Sequence, residues 1–220
     1  MSLTEKQEKR VRNVIAITEI QMLMGKMVTY LDRMDAESIH GKLFAKDHPE
    51  VSVEYEESGV YKGPDHVRTF FENFHAYLQD PADKRGWMNF QDLSTPYIIL
   101  SGDETRAKGS WYVFGPHAKQ AMPYPAETRT LTAIWYCGKY MADFIEVDGQ
   151  WKILKLQLVT YIRTPYDQGW LKCPDCLRTE FMTNLRPDEP SRIHTYHPDA
   201  IYTADGTYNW GPFMPEECTF

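Results

Sequence analysis

The stretch from Tyr136 to Arg163, YCGKYMADFIEVDGQWKILKLQLVTYIR, constrains this chain more than any other. Two apolar, aromatic-rich runs flank Val147-Asp148-Gly149-Gln150. An Asp-Gly pair in that setting signals a tight hairpin whose two central residues take positive φ. Strands of this length twist and curl, and a curled sheet has a concave side able to hold a small molecule. Function is to be sought on that concave side, and the rest of the chain has to supply its cover.

The chain's 220 residues suffice for one sizeable core with an appendage. A net charge of -7 argues against a nucleic-acid partner, which would need a basic face. No run of about 18 apolar residues predicts a membrane span, and the N-terminus lacks the apolar core of a signal peptide. The four cysteines, Cys137, Cys173, Cys176 and Cys218, are too few for a disulfide scaffold, and a reducing cytoplasm is the expected compartment.

Thr4 and Gln7 form a capping box that starts a helix. Val11, Val14, Ile15 and Thr18 fall on one face of it; Ile20, Leu23, Met27, Tyr30 and Leu31 continue with helical spacing, and Gly25 allows two helices in line. Asp35 is placed to cap a short helix over 36–45. Val51, Val53 and Tyr55 alternate with polar residues as a half-buried strand does, and Val60-Tyr61 returns. Pro64 opens a helix whose Val67, Phe70, Phe71, Phe74 and Leu78 make a wide apolar face, ended by Asp80-Pro81. Strand material follows over 87–92, 97–100 and 108–114, where Gly115-Pro116 is read as a break and residues 116–128 as a loop. The long strands cover 130–147 and 151–163. Helices first and antiparallel strands afterwards make an α+β chain. Residues 1–164 read as one domain and 165–220 as an arm. That arm holds seven of the 14 prolines, so regular structure should be scarce, yet it carries nine aromatics, which predicts that it packs on the core or on a neighbouring subunit.

Several segments together resemble the SnoaL-like branch of the nuclear-transport-factor-2-like superfamily. Tyr30-Leu31-Asp32-Arg33-Met34-Asp35 is similar to the ending of that family's first helix, and Lys62-Gly63-Pro64-Asp65-His66-Val67 to the start of its third. Ser94-Thr95-Pro96-Tyr97-Ile98 with Gly102-Asp103-Glu104-Thr105-Arg106-Ala107 resembles the central hairpin. Gly138-Lys139-Tyr140, Phe144 and Asp148-Gly149-Gln150-Trp151-Lys152-Ile153 resemble the terminal one. The likeness spans about residues 10–163. It implies a cone: a strongly curved antiparallel sheet wrapped around N-terminal helices, with a pocket at the open end. Members include polyketide cyclases, scytalone dehydratase, bile acid 7α-dehydratase and a lindane dehydrochlorinase; many need no cofactor, and others only bind or assemble, so fold alone does not fix function.

The resemblance implies that Asp32 faces the pocket as general acid or base, and apolar neighbours raise a carboxylate's pKa unless it is paired. The family's histidine, five residues before the hairpin proline, is replaced by Gln91, which orients an oxygen but takes no proton. Tyr30 and Tyr140 are then the hydroxyls available to Asp32. Arg163 is similar to an arginine at the end of the family's last strand and suits a carboxylate or carbonyl oxygen. Its strand is about three residues longer than in the dehydratase, so the match requires a bulge. Trp111, Tyr136 and Tyr161 are aromatic strand residues expected at the pocket wall, although core packing is the commoner role. Cys173, Cys176, His194 and His197 have the ligand types for one zinc at unusual spacing; the default expectation is no cofactor. The outer faces of Leu154, Leu156 and Leu158 predict a homo-oligomer, dimer or trimer. The function expected is cofactor-independent dehydration, cyclisation or isomerisation of a small, largely apolar cyclic molecule; the alternative is a binding protein without chemistry.

Overall fold

Val147 pairs with Gln150 across a two-residue turn in which Asp148 has φ 52° and Gly149 φ 73°. Both central residues are left-handed, which matches the right-handed twist of the strands they join. In the computed structural model residues 3–55, 59–79, 85–120 and 131–174 are described, with 202, 214, 215, 217 and 218 of the C-terminal segment. The strands are β1 (Ser52–Tyr55), β2 (Val60–Lys62), β3 (Met88–Asn89), β4 (Asp92–Leu100), β5 (Arg106–Gln120), β6 (Leu131–Val147) and β7 (Gln150–Pro165). Their order is β2-β1-β7-β6-β5-β3, and β4 also pairs with β5. All pairings are antiparallel except β1 with β7, so the sheet is mixed.

The register of β6 against β7 shifts twice, at Cys137/Gly138 and at Asp143/Phe144, leaving Tyr161 and Leu154 as extra residues on β7. Each bulge increases the local twist and bends the sheet. The bulges also decide which side chains face inward. Leu156 and Leu158 belong to the main core cluster, opposite Ala142 and Tyr140, so the apolar outer stripe expected of them does not exist. Arg163 comes to lie opposite Tyr136 on the inner face, as the bulge required by its match allows.

The helices are α1 (Glu5–Asp32), α2 (Ala36–Ser38) with a π-helical turn over Ile39–Leu43, and α3 (Pro64–Gln79). The Thr4–Gln7 capping box starts α1, which runs through Gly25 without a break. Its buried residues are Ile20, Leu23, Met24, Met27 and Leu31; Val11, Val14 and Ile15 face solvent rather than the core. Asp35 caps as expected, accepting from Ser38 N at 2.9 Å, but the helix after it widens into the π turn and ends at Leu43. On α3, Phe70, Phe71 and Phe74 pack ring against ring with Tyr55, Tyr61 and Phe44.

Two further expectations change. Material at 87–92 divides between β3 and β4, and β4 passes through Pro96 with Thr95 at φ 50° and a register shift there. Gly115-Pro116 does not end β5, which continues to Gln120; residues 121–130 lie outside the described residues. A side chain at Gly115 would sit 1.9 Å from the carbonyl oxygen of Phe90, so glycine lets the chain between β3 and β4 cross close by. The Pro116 carbonyl then accepts from Phe90 N at 3.3 Å.

Candidate functional site

α1 begins beside the β4–β5 turn, where Lys9 Nζ donates to Gly102 O and Arg12 holds Glu104. It packs along β4 and also touches β3. Its C-terminal turn is thereby carried toward the end of the sheet at which Gln91 lies. Asp32, its last residue, stays exposed, yet partial burial pushes its carboxyl above the usual carboxylate range. Tyr30 leaves α1 about 200° around from Asp32, since two residues turn a helix that far. Its ring lies 5.3 Å from Lys42 Nζ of the π turn instead, so the structure does not bring Tyr30 to Asp32.

The inner face of the sheet gathers polar groups at one end. Tyr140, fully buried on β6, donates its hydroxyl to Gln91 Oε1 at 2.9 Å, which joins two residues 49 apart in the chain. Next along β6, Tyr136 shares a 3.3 Å hydrogen bond with Thr160 Oγ1 of β7. Gly138 makes room for this bond: a side chain there would lie 3.1 Å from the Tyr136 hydroxyl and 2.5 Å from Val159 O. The Tyr136 ring stacks on His117 of β5, with centroids 5.0 Å apart and planes 12° apart. Arg163 lies opposite Tyr136 and is buried, as are His117, Gln91 and Thr160.

Gln91, Tyr140, Tyr136 and Arg163 thus share one face and one end of the sheet. Trp111 lies on the same face directly opposite Tyr140, but its ring leans over Gly109 and away from the polar groups. Its indole meets Phe144 edge-on at 6.0 Å and serves the core. Tyr161 sits in the bulge and packs on the other face with Val159, Tyr112, Cys137 and Ile162, so it does not line the concave side. Thr160 is the member that sequence reasoning missed, and His117, which reads as the start of a loop able to approach the site, is instead a residue of β5. Reading β5 through Gly115-Pro116 continues the alternation Trp111, Val113, Gly115, His117 onto the inner face and would have placed the histidine.

Of the zinc candidates, Cys176, His194 and His197 lie outside the described residues, and Cys173 is half-buried. Among the described residues no cluster of three metal-binding side chains occurs. On the outer face a groove of about 280 Å³ runs over Lys108, Asp143, Lys155 and Gln157, with Met214 and Pro215 of the C-terminal segment at its wall. Asp143 bridges Lys108 at 3.0 Å and Lys155 at 3.7 Å there. Tyr202 N donates to Tyr161 O at 2.9 Å.

The architecture recurs in solved structures. A protein from Novosphingobium aromaticivorans provisionally named a scytalone dehydratase is 22% identical, with a TM-score of 0.52 over 71% of this chain and 91% of that one. The hexachlorocyclohexane dehydrochlorinase of Novosphingobium barchaimii is 15% identical, TM-score 0.51, over 71% and 93%. A nuclear-transport-factor-2-like protein with a cystatin-like fold, again from Novosphingobium aromaticivorans, is 14% identical, TM-score 0.50, over 73% and 91%. At these identities the likeness establishes the fold: three helices held by a strongly curled half-barrel sheet. No curated protein matches the chain. The SnoaL-like domain model matches residues 12–157, which takes in α1 and most of the sheet, and the chain belongs to the SnoaL-like domain family.

Proposed function

We propose that this protein is a cofactor-independent acid/base enzyme, a dehydratase, cyclase or isomerase. Its substrate is a small, largely apolar cyclic molecule whose oxygen-bearing edge lies toward Gln91 and Tyr140. One observation carries the reading: a buried polar cluster, Gln91, Tyr140, Tyr136, His117, Thr160 and Arg163, at one end of an otherwise apolar inner face. Burying that many polar groups opposes folding unless each is bonded, and such clusters concentrate where chemistry or recognition is done.

Elimination and enolisation need one group to take a proton and others to hold the developing negative charge. Asp32 is the candidate base, and the burial that raises its pKa moves it toward the working range of a neutral-pH catalyst. Gln91 and Tyr140 orient the oxygen, and the Arg163 guanidinium is the charge complement of an oxyanion. His117 adds an imidazole, donor or acceptor according to its tautomer, at the same end of the sheet. The scytalone dehydratase and dehydrochlorinase names of the structural neighbours agree in reaction class. Residues 165–220 we assign to an arm against the sheet, on the support of the Tyr202–Tyr161 bond and the position of Met214.

A binding protein of the same fold is the second reading, and Gln91 favours it because an amide exchanges no proton at useful pH. The test is Asp32→Asn, which keeps shape and removes the titrating group. On a cyclic alcohol or ketone that wild type converts, turnover should fall by about two to four orders of magnitude with ligand affinity little changed. Unchanged turnover removes Asp32 from the mechanism. Wild-type binding without turnover in dehydration, cyclisation and isomerisation assays makes the protein a binder.

A further inference from the structure

Around α1 the apolar residues form two stripes. Ile20, Met24, Met27 and Leu31 point into the core. Val11, Ile15, Thr18 and Met22 lie about 180° away at 100° per residue, spaced four, three and four, which is the rhythm of a coiled-coil seam. Among the described residues nothing covers this second stripe: Val11 is 48% exposed, Val14 63%, Ile15 52% and Met22 60%. Gly25 continues the seam, and a side chain built there would meet no atom within 4 Å. The hydroxyls in the stripe are already satisfied, because Thr18 donates to Val14 O at 2.8 Å and Thr29 to Gly25 O at 2.9 Å. They turn methyls and backbone, not open donors, toward whatever lies against them.

We propose that α1 pairs antiparallel with α1 of a second copy of this chain across a two-fold axis near Ile15, through Val11, Ile15, Thr18, Met22 and Gly25. The charges on the flank of the seam choose the copy and the register. A two-fold placed between residues 15 and 16 sets Arg12, which also holds Glu104 of its own chain, against Glu19 of the second copy and Glu5 against its Lys26. By symmetry each pair occurs twice. Opposite charges beside a helical seam fix partner and orientation. A helix lying on a membrane surface carries a predominantly basic polar face instead, and this flank alternates in sign. The pairing uses the face of α1 opposite the core, so it leaves the inner face of the sheet and its polar end untouched.

Sedimentation of the full chain is the first test. Wild type is expected to be a dimer, and Ile15→Glu a monomer with the wild-type circular dichroism spectrum and a melting midpoint lowered only by the loss of association, since the side chain supports no core contact. Cysteine trapping tests the register. Ile15→Cys lies beside its symmetry mate and should oxidise to a disulfide-linked dimer beyond the wild-type background. Val11→Cys should not, because its mate is about 14 Å away along the axis. A wild type that stays monomeric up to its highest soluble concentration overturns the proposal, as does a dimer that survives Ile15→Glu. Equal trapping at Val11 and Ile15 overturns the antiparallel register. Monomeric wild type that binds phosphatidylglycerol vesicles, with binding lost in Ile15→Glu, overturns it in favour of a membrane surface.

Discussion

Beneath α3 the inner face of the sheet meets rings and methyl groups; at its other end it carries an amide, hydroxyls, an imidazole and a guanidinium. The first region closes almost completely. Its cavity, bounded by Phe70, Phe71, Phe74, Tyr55, Met27 and Leu156, measures about 10 Å³, room for a single water and lined by no polar surface. The second region is as buried but is organised by directed bonds, Tyr140 to Gln91 and Tyr136 to Thr160. Tyr140 belongs to both: its ring walls the apolar cavity while its hydroxyl reaches Gln91. One end of the cone therefore resists change through packing, the other through satisfied polar groups, and the two should fail differently when cut.

The largest expected effect is in the apolar region. Phe70 is 1% exposed and meets Tyr55, Tyr61, Phe71 and Phe74. Phe70→Ala should cost about 3–5 kcal/mol in urea unfolding. A loss near 1 kcal/mol would mean that the cavity is already loose enough to collapse, and the contrast between the regions would weaken.

A smaller effect belongs to the polar end. Tyr140→Phe keeps the ring in the apolar wall and leaves Gln91 Oε1 without its donor, a cost of about 1–3 kcal/mol. Gln91→Leu in the same chain removes the stranded acceptor, so the double variant should be more stable than the sum of the two single losses predicts. Strict additivity in a double-mutant cycle would show that the Tyr140–Gln91 bond does not act as a unit.

The smallest effect is a pH dependence at the end of α1. Burial raises the Asp32 pKa in the folded chain. A raised carboxyl favours its protonated form, so its contribution to stability is fully present below the unfolded pKa and is lost as pH rises through the folded value. Asp32→Asn should accordingly gain on wild type in thermal midpoint between acid and neutral pH, with the gap closing in acid. A gap that opens in acid instead would show a carboxylate held by a partner rather than one strained by burial. The same variant should lose turnover while gaining stability, which a purely structural aspartate would not do.

The sequence was a good guide wherever one residue or one local period settles the outcome. The Asp148-Gly149 turn, the Thr4–Gln7 capping box, Asp35 as a cap and the apolar face of α3 are decided within a few residues, because turn φ angles, cap bonds and helical spacing are local quantities. Local rules also misled. Gly115-Pro116 has the composition of a strand end, yet partners on both sides carry β5 through it, and the strand position of His117 was hidden behind that reading. Val11, Val14 and Ile15 have the spacing of a core face, but α1 has two apolar stripes and spacing cannot say which one the sheet will meet.

The amino-acid sequence by itself determined the family and the α+β class with its long terminal hairpin, and it singled out Gln91, Tyr136, Tyr140 and Arg163 as candidates. Only the tertiary structure decided that Gln91 bonds to Tyr140, that Arg163 lies opposite Tyr136 on the same face, that Tyr161 turns away and that Leu156 and Leu158 face inward. The physical reason lies in β7. A strand reverses the side of every later residue when one extra residue enters, and Leu154 and Tyr161 enter without any composition that marks a bulge. Which residue bulges is set by the strand it pairs with, so inward and outward on this sheet are properties of β6 and β7 together.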